Sequence, residues 1–383
     1  MAAPSLKNIR IQFIFNVCAH YRKKLFEELA KKYSINYLFF SGGEEFYNDG
    51  LGNQNLGEFT GRYLKGVDFG PHLRLTPGLL PEILFRKTDV FIKCINGPVP
   101  LLLTFLAAKL RGIPFILWTG LWHDLQSKFH KMARPLVHQI YKKADAIVVY
   151  GDHVTGYLAG KGIEKKKIFP AYQAHDTTPF LQQVSQQEKD ELRQEIGIKT
   201  SKVVLFIGRL VDEKGIDTLV DAFAAIGYAY ATLLIIGAGK KERALRVRFE
   251  KINGIILPYI EHSQLYKYYA LADIFVLPSV TTGRFKEPWG FVVNEAMCQH
   301  CAIVLSDAVG AGQGGLVKNE QNGFIFPEKD SAALAGILEH LLTDDVHRQL
   351  FQDRAFATIK SWTLEKTIAG FDAAISYVLE KKN

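Results

Sequence analysis

The chain has 383 residues, of which 48% are hydrophobic and 22% are charged. This length exceeds one ordinary domain and predicts two, and the composition is that of a globular protein. Four cysteines in so long a chain argue against a disulfide scaffold and favour a reducing compartment. No apolar run reaches the roughly eighteen residues of a membrane span. The N-terminal stretch enters a strand-like run without a cleavable leader pattern, so we expect a cytoplasmic protein.

The net charge of +8 is concentrated in the first half of the chain. Residues 1–185 hold 24 Lys and Arg against 14 Asp and Glu, a net +10, whereas residues 186–383 hold 23 against 25, a net −2. A one-sided positive field suits an anionic partner such as a membrane surface or a lipid phosphate, and an ordinary solvated surface explains it about equally well. Nucleic acid is not expected as a partner, because the basic half lacks interleaved aromatic residues.

In chain order, the first half alternates strand-like apolar runs with helical periods. Strands are predicted at residues 9–15, 35–40, 90–94, 114–118 and 146–150. Between the first two, residues 21–33 are predicted to form a helix because Leu25, Phe26 and Leu29 fall on one face. Residues 42–78 are rich in Gly, Asn and Tyr with little period, and they are predicted to form a loop with short elements.

The second half repeats this alternation, with strands predicted at residues 202–208, 231–237, 254–257, 273–279, 302–307 and 323–326. Such alternation predicts parallel sheets built from βαβ units. The fold class is therefore α/β, with two Rossmann-like doubly wound domains that face each other across a cleft. The polar stretch at 185–197 indicates the junction, and the domains are predicted to span residues 1–182 and 183–365.

The loop after the strand at 202–208 collects positive charge. The stretch LFIGRLVDEKGIDTL ends its strand at Gly208, places Arg209 and Lys214 in the loop, and starts a helix near Gly215. A guanidinium, an ammonium and a helix N-terminus together suit a pyrophosphate. Two solvated surface cations are the alternative interpretation.

The stretch FKEPWGFVVNEAMCQH, residues 285–300, carries two glutamates in different settings. Glu287 precedes a proline outside any helix, whereas Glu295 lies about one turn inside a helix. The two oxygens of a carboxylate can bind two vicinal hydroxyls together, as ribose presents them. The first free N–H groups of the helix can bind a phosphate oxygen, and they belong to Gly290, Phe291 and Val292. A capping glutamate and a solvated one are the alternative.

The order of these motifs carries a resemblance to a known family. Five motifs follow one another along the chain: GRLVDEKG, LLIIGAG, LPYIEHSQLYKYYALADIFVLPS, KEPWGFVVNEAM and NGFIFP. Their order resembles that in the nucleotide-sugar-binding domain of family-four retaining glycosyltransferases of GT-B fold, the glycosyl transferases group 1. The segment KKADAIVVYGDHVTGYLAGKGIEKKKIFPAYQAHDTTPF resembles the end of that family's N-terminal domain. The resemblance covers roughly residues 140–330. It implies transfer of a sugar of hexose type from a nucleoside-diphosphate sugar to a hydroxyl acceptor, with retention of anomeric configuration.

The resemblance also assigns roles to residues of the second half. Arg209 and Lys214 match the basic pair that holds the donor diphosphate. Glu287 matches the first glutamate of the family motif, which contacts the donor sugar, and Glu295 matches the second, which holds the ribose. Glu287, Arg209 and Lys214 are therefore the expected catalytic residues of this half.

The remaining site predictions concern residues outside these two motifs. Tyr259 and Ile260 match a strand exit whose backbone contacts the base, and His123 stands where the family often has a cleft histidine near the reacting sugar. A core or surface histidine is an equally good interpretation of His123. Tyr21 and Arg22 are predicted to lie on the acceptor side, in the basic first half.

The chain departs from the family pattern near these motifs. The first strand is followed by NVCAHYRKKLF rather than by paired glycines, and His300 stands where the family usually has a glycine. Cys298 and Cys301 form a C-x-x-C pair without a second pair nearby, which we interpret as structural.

The resemblance implies no cofactor beyond the donor substrate, and no D-x-D signature indicates a metal. A C-terminal helix, residues 366–383, is expected to cross back onto the first domain.

The expected acceptor is a lipid-linked saccharide or glycolipid of cell-surface synthesis. The protein would lie peripherally on the cytoplasmic face of an anionic membrane. The alternatives are a non-catalytic nucleotide-sugar-binding or scaffold subunit, and another GT-B enzyme such as an epimerase or a phosphorylase.

Overall fold

The computed structural model describes residues 6–41, 58–69, 74–227 and 230–382, so that most of the predicted loop at 42–78 lies outside the described residues. The chain divides into two compact units. Unit 1 consists of residues 1–121, 128–175 and 364–383, and unit 2 consists of residues 122–127 and 176–363. These limits differ by a few residues from the predicted boundaries at 182 and 365. The assignment of residues 122–127 to unit 2 was not predicted.

Unit 1 contains nine strands among the described residues: β1 (Arg10–Phe15), β2 (Ser34–Phe39), β3 (Gly61–Tyr63), β4 (Val67–Asp68), β5 (Arg74–Leu75), β6 (Val90–Cys94), β7 (Phe115–Thr119), β8 (Ala146–Val149) and β9 (Ile168–Pro170). Seven of them form a parallel sheet in the order β3-β2-β1-β6-β7-β8-β9, and β4 and β5 pair separately as an antiparallel ribbon. The central strands β1, β6, β7 and β8 are buried along almost their whole length, as is typical of a parallel sheet with helices on both faces.

The helices of unit 1 connect these strands. They are α1 (His20–Lys32), α2 (Leu79–Phe85), α3 (Pro98–Arg111), α4 (Lys128–Lys143) and α5 (Asp152–Gly160). Helix α1 buries Leu25, Phe26 and Leu29, the apolar face that its period predicted. The strand order reverses between β1 and β6, which makes their carboxyl ends the switch point of this sheet.

Unit 2 is built on six parallel strands among the described residues: β10 (Lys202–Ile207), β11 (Ala231–Ile236), β12 (Gly254–Leu257), β13 (Ile274–Leu277), β14 (Ala302–Ser306) and β15 (Phe324–Phe326). Their order is β12-β11-β10-β13-β14-β15, the doubly wound Rossmann order. The order reverses between β10 and β13, and ligands of such sheets bind beyond the carboxyl ends of strands at this point. The loops after β10 and β13 contain the motifs singled out in the sequence.

The helices of unit 2 are α6 (Gln186–Ile196), α7 (Ile216–Ile226), α8 (Glu242–Phe249), α9 (Leu265–Leu271), α10 (Phe291–Cys298), α11 (Gly310–Gln313), α12 (Ser331–Thr343) and α13 (Asp345–Lys360). Helix α6 begins with a capping box, in which Ser185 and Glu188 satisfy each other's backbone N–H groups. This helix is the polar stretch that indicated the domain junction.

The last helix, α14 (Leu364–Glu380), belongs to unit 1. It packs against β8 and β9, where a Cβ on Gly370 would lie 2.3 Å from the carbonyl oxygen of Pro170. Phe371 packs its ring edge against Trp118 at a centroid distance of 5.1 Å, and Asp372 accepts hydrogen bonds from Lys32 and Tyr33. None of the helices in the described part of the chain is both long and apolar enough to cross a membrane.

Candidate functional site

The loop between β10 and α7 holds the two predicted phosphate-binding cations. It is compact because Gly215 adopts a φ of +63° and a Cβ there would lie 1.9 Å from the carbonyl oxygen of Pro278. This close approach joins the loop to the exit of β13, where the Val280 N–H donates to the carbonyl of Glu213 at 2.9 Å. Only glycine fits this position, because any side chain would displace the backbone of the neighbouring loop.

The two cations differ in their surroundings. Arg209 is half exposed, and its guanidinium donates to the carboxylate of Glu213 at 3.2 Å. Lys214 is 13% exposed and its ammonium forms an ion pair with the carboxylate of Glu287, which is 9% exposed. Ser279 at the exit of β13 donates to the same carboxylate oxygen at 3.2 Å. A buried carboxylate needs such partners, because an unpaired buried charge is costly.

The backbone of Glu287 is also fixed. Its carbonyl oxygen accepts hydrogen bonds from the Gly310 N–H at 3.0 Å and from the Trp122 indole N–H at 3.1 Å. A Cβ on Gly310 would lie 2.1 Å from the carbonyl oxygen of Pro288, so the loop after β13 packs closely on the start of α11. The carboxylate of Glu287 is thus held from its main chain as well as by Lys214.

Helix α10 begins at Phe291, as the sequence predicted, and Gly290 caps it with a φ of +93°. A Cβ at Gly290 would lie 2.7 Å from the side chain of Leu277, which packs the helix start closely on β13. The first N–H groups of an α-helix have no acceptor within the helix, and the helix dipole favours an anion there. The start of α10, with Gly290, Phe291 and Val292, therefore offers an anion-binding position at the switch point of the sheet.

Glu295 is buried on α10, with 3% of its surface exposed. The hydroxyl of Tyr269 donates to one carboxylate oxygen at 2.8 Å, and the imidazole of His262 contacts the other at 3.1 Å. Burial lowers the pKa of His262, but the hydrogen bond and the charge of Glu295 outweigh it and raise this pKa above the ordinary 6.5. Burial, followed by the charge of Glu295, raises the pKa of Tyr269 well above 10.0. Glu295 is therefore a carboxylate with two fixed hydrogen-bond partners.

The segment 122–127 follows β7 and groups with unit 2. The Lys286 ammonium lies 3.9 Å from the centroid of the Trp122 ring, and the Gln126 N–H donates to the carbonyl of Gly283 at 2.6 Å. These contacts place the segment against the loop that carries Glu287.

His123 stands in this segment and is half-buried. Both of its ring nitrogens are buried without a hydrogen-bond partner among the described residues. Burial lowers the pKa of His123 and the Lys286 ammonium lowers it further, against the smaller opposing effect of Asp124, so that this pKa lies below the ordinary 6.5. A pKa below 6.5 favours the neutral ring at pH 7, which has one donor and one acceptor nitrogen.

The remaining predicted site residues lie outside the two loops and the helix start described above. Tyr259 and Ile260 follow β12 at the same carboxyl edge of the unit 2 sheet, and the Tyr259 side chain is 66% exposed. Tyr21 and Arg22 belong to unit 1. Arg22 is 3% exposed, and its guanidinium lies over the rings of Trp118 and Tyr150 at 4.7 and 5.1 Å. Buried in this way, Arg22 stabilises the packing of aromatic rings in unit 1.

The departures from the family pattern have a structural explanation. His300 adopts the left-handed conformation, with a φ of +55°, where the family usually has a glycine. Cys298 and Cys301 are buried thiols, and burial raises the pKa of Cys298 to about 12 and also raises that of Cys301. Both are therefore poor nucleophiles, in agreement with the structural interpretation.

Sequence reasoning missed five residues of this site. Trp122 and Lys286 are next to predicted residues in the chain, and Ser279 ends the motif DIFVLPS. The motifs could therefore have indicated these three residues. His262 and Tyr269 carried no local signal for contact with Glu295, because they lie 33 and 26 residues away from it.

Comparison with known proteins identifies a family and a fold to which this chain is similar. The sequence model of the family Glycosyl transferases group 1 matches residues 188–357. The chain is 29% identical over 195 residues to the uncharacterised glycosyltransferase MJ1607 of Methanocaldococcus jannaschii, a match that covers 49% of this chain and 48% of that protein. It is 24% identical over 303 residues to a GDP-mannose-dependent alpha-(1-6)-phosphatidylinositol monomannoside mannosyltransferase of Mycobacterium tuberculosis, which covers 75% of each. The first of these matches thus spans about half of the relative.

Two solved structures share the fold. Anabaena Alr3699/HepE in complex with UDP superposes with a TM-score of 0.75 at 18% identity, over 96% of this chain and 100% of that one. A glycosyltransferase from Rickettsia africae ESF-5 superposes with a TM-score of 0.74 at 14% identity, over 97% and 98%. The predicted α/β class and GT-B fold are confirmed, as is the resemblance recognised in the sequence. The segment that carries the paired Lys214 and Glu287, residues 188–357, is therefore similar to the glycosyl transferases group 1 family.

Proposed function

We propose that this protein is a retaining hexosyltransferase that moves a sugar from a nucleoside-diphosphate sugar to a hydroxyl acceptor. The observation that carries the proposal is the buried pair of Lys214 and Glu287 at the switch point of the unit 2 sheet. It joins a diphosphate-binding cation to a carboxylate suited to sugar hydroxyls, at the edge where doubly wound sheets bind ligands. The family of the segment 188–357 supports the same reaction class.

The leaving group of this reaction is a nucleoside diphosphate, so its departure requires positive charge. The ammonium of Lys214 and the half-exposed guanidinium of Arg209 supply that charge from one loop. The start of α10 adds backbone N–H groups from the adjacent loop. Each charge-assisted contact of this kind contributes about 1.5–3 kcal/mol. Charge that is preorganised in this way stabilises the transition state without reorganisation.

Sugar and ribose hydroxyls are bound by the two carboxylates in this proposal. Glu287 is held by Lys214 and Ser279, so it presents a fixed acceptor to a donor-sugar hydroxyl. Glu295 is oriented by Tyr269 and His262 and binds the ribose. The backbone at Tyr259 and Ile260 contacts the base.

His123 completes the proposed site on the side of the reacting sugar. Its neutral ring carries one N–H donor and one acceptor nitrogen, and both lack a partner among the described residues. A sugar hydroxyl can pair with one of the two nitrogens. Burial and the positive charge of Lys286 lower the pKa of the ring, so His123 acts as a hydrogen-bonding group and not as a permanent cation.

The proposed reaction needs no metal ion, because the loop cations and the helix start neutralise the diphosphate. Activity should therefore persist in the presence of a chelator. Loss of all activity in EDTA, with recovery on addition of Mg²⁺ or Mn²⁺, would contradict this part of the proposal.

We further propose that the acceptor is lipid-linked and that unit 1 binds an anionic membrane surface. Helix α4 carries five Lys and Arg without an acidic residue, and it exposes Met132 at 83% and Leu136 at 47%. Helix α3, which packs against α2, exposes Leu110 at 80%, and Phe85 at the end of α2 is 81% exposed. Exposed apolar side chains beside a basic helix are typical of peripheral membrane binding.

The donor is tested first, by thermal shifts with UDP, GDP, ADP, CMP and TDP. Relatives use different bases, since one binds UDP and another is GDP-mannose-dependent. A ligand at about 100 times its Kd stabilises the protein by about 2.7 kcal/mol. We expect a shift with one nucleoside diphosphate that is lost in Arg209→Ala and Glu295→Ala and kept in Arg243→Ala, an exposed arginine of α8. No shift with any nucleotide would favour the non-catalytic scaffold.

The membrane part is tested by flotation with phosphatidylglycerol vesicles at low salt, with phosphatidylcholine vesicles for comparison. We expect binding to the anionic vesicles alone, weakened by Lys131→Glu and by Met132→Asp on α4. A matched control is Lys251→Glu in unit 2. Failure to bind anionic vesicles would contradict the membrane proposal and leave the donor proposal intact.

A further inference from the structure

Three side chains that can bind a metal ion, and that the proposed donor site does not use, meet at the junction of α12 and α13. His340 lies in the last turn of α12, Asp344 joins the two helices, and His347 lies in the first turn of α13. Their ligand atoms all lie within 4.8 Å of one another. The sequence pattern H-x-x-x-D-x-x-H does not by itself indicate a metal site, because its two histidines lie on different helices.

The junction itself brings these residues together. The N–H of Asp344 donates to the carbonyl of His340 at 3.0 Å, which closes α12. The carboxylate of Asp344 then caps α13 by accepting from the N–H of His347 at 2.8 Å. One residue therefore ends one helix and starts the next, and the histidines on either side face the same position. The cap uses one carboxylate oxygen, and a carboxylate has a second.

The two imidazoles contact each other directly, through Nε2 of His340 and Nδ1 of His347. As a hydrogen bond, this contact requires one ring to present an N–H to the lone pair of the other. A divalent cation between the rings would instead accept both lone pairs. The ring of His347 packs on Phe351 at a centroid distance of 4.9 Å, and Phe324 packs on Phe351 at 4.5 Å. This apolar support limits the orientations of the histidine rings.

Neighbouring charge does not oppose a cation at this position. Arg348 follows His347 in the chain, and its guanidinium pairs with the carboxylate of Asp345 at 2.6 Å. The ammonium of Lys202 pairs with the same carboxylate at 2.8 Å. Both cations are thus engaged by Asp345, and the carboxylate of Asp344 carries the charge that faces the histidines.

We propose that His340, Asp344 and His347 bind Zn²⁺. Two imidazoles and a carboxylate are a ligand set that zinc accepts in tetrahedral geometry, with water as the fourth ligand. Zinc–ligand bonds of about 2.0–2.2 Å place the ligand atoms of such a site about 3.3 Å apart. The observed separations reach this geometry by small side-chain rotations. Mg²⁺ and Ca²⁺ are not expected, since they bind oxygen ligands.

The bound ion would join α12 to α13. Helix α12 also packs on α7, the helix that follows the Arg209–Gly215 loop, and α13 packs on α10 and β14. The ion would therefore stabilise the helical layer that supports the unit 2 sheet. This role is structural, and it is independent of the proposed transfer reaction.

The test uses the full chain without a histidine tag, after treatment with EDTA and removal of the chelator. Titration with ZnCl₂ by isothermal calorimetry should show one ion per chain and a higher midpoint of thermal unfolding. His340→Gln and His347→Gln should each weaken binding at least tenfold. Asp344→Asn should also weaken it, and this variant keeps the helix cap because asparagine is a good N-cap residue. His138→Gln, the same change on α4, is the matched control and should leave binding unchanged.

Two results would overturn the proposal. One is the absence of Zn²⁺ binding by the unaltered chain at tens of micromolar ion. The other is equal binding by the unaltered chain and by all three variants, which would assign the ion to other histidines. Nucleotide-induced thermal shifts measured in the same variants should remain, which separates this site from the donor site.

Discussion

Replacement of Lys214 by methionine tests the buried pair that carries the functional proposal. The change removes the ammonium and nearly keeps the length of the side chain, so the carboxylate of Glu287 stays buried with the Ser279 hydroxyl, at 3.2 Å, as its remaining side-chain donor among the described residues. Breaking a buried ion pair from one side costs about 3–5 kcal/mol. The remaining hydrogen bond retains about 1 kcal/mol. We therefore expect Lys214→Met to lower the free energy of unfolding by about 3 kcal/mol.

Differential scanning calorimetry of the full chain measures this loss. A loss of 1 kcal/mol shifts the unfolding midpoint of a unit of this size by about 2–4 °C, so the expected shift is roughly 6–12 °C. Glu287→Gln should cost less, about 1 kcal/mol, because the amide oxygen still accepts from Lys214. The double variant should lose less than the sum of the two single losses, by about 0.5–3 kcal/mol, because the two residues are in contact.

The reasoning fails if Lys214→Met lowers stability by less than about 1 kcal/mol, or if the two changes are additive. Either result would mean that the pair is solvated in the nucleotide-free protein. A second readout is nucleotide affinity, which should fall about 10-fold or more in Lys214→Met because a charge-assisted phosphate contact is lost. It should be nearly unchanged in Glu287→Gln, because the proposal assigns Glu287 to the sugar and not to the nucleotide.

Three further changes test the surroundings of this pair. Gly215→Ala should destabilise unit 2 by more than about 1–3 kcal/mol, because the new Cβ would lie 1.9 Å from the Pro278 carbonyl at a strained φ of +63°. Tyr269→Phe should weaken nucleoside-diphosphate binding about 2- to 10-fold by removing one hydrogen bond that orients Glu295. The pKa of His262 is raised in the folded protein, so its stabilising effect relative to His262→Gln should be complete below pH 6.5 and decrease as the pH rises through the raised value.

Matched controls accompany these changes. Gly227 has the same φ of +63° but open space around its Cβ position, so Gly227→Ala isolates backbone strain from the clash at Gly215. Equal losses in the two alanine variants would refute the packing argument. Tyr268→Phe, next to Tyr269, should leave nucleotide affinity unchanged. Urea unfolding from pH 5 to 9 measures the His262 effect, and a difference that grows with pH would show that its pKa is lowered instead.

Much of unit 2 could be predicted from local patterns. The apolar run at 202–208 became β10 to within a residue, since a strand that is buried on both faces is mostly apolar. The run at 254–257 became β12, a half-buried strand at the edge of the sheet. The start of α10 at Phe291 followed from the proline and glycine before it. Most of the predicted loop at 42–78 lies outside the described residues.

The candidate site was only partly predictable. The sequence placed Arg209 and Lys214 in the loop after β10, but it did not indicate that Lys214 would be buried against Glu287, 73 residues away. The sequence also did not indicate that Arg22, predicted to lie on the acceptor side, would be buried among aromatic rings of unit 1. Burial depends on neighbours that are distant in the chain.

The sequence by itself determined the positions of the strands, the glycines at tight turns and the order of the motifs, because periodicity and turn chemistry are local properties of the chain. The tertiary structure decided which loops meet. Strand β10 pairs with β11 on one side and with β13 on the other, and its pairing with the distant β13 brings the Lys214 loop beside Ser279 and Glu287. The packing of elements also brings Glu295 into contact with its partners Tyr269 and His262. Side-chain pairs of this kind depend on the packing of whole elements, which no local pattern of residues encodes.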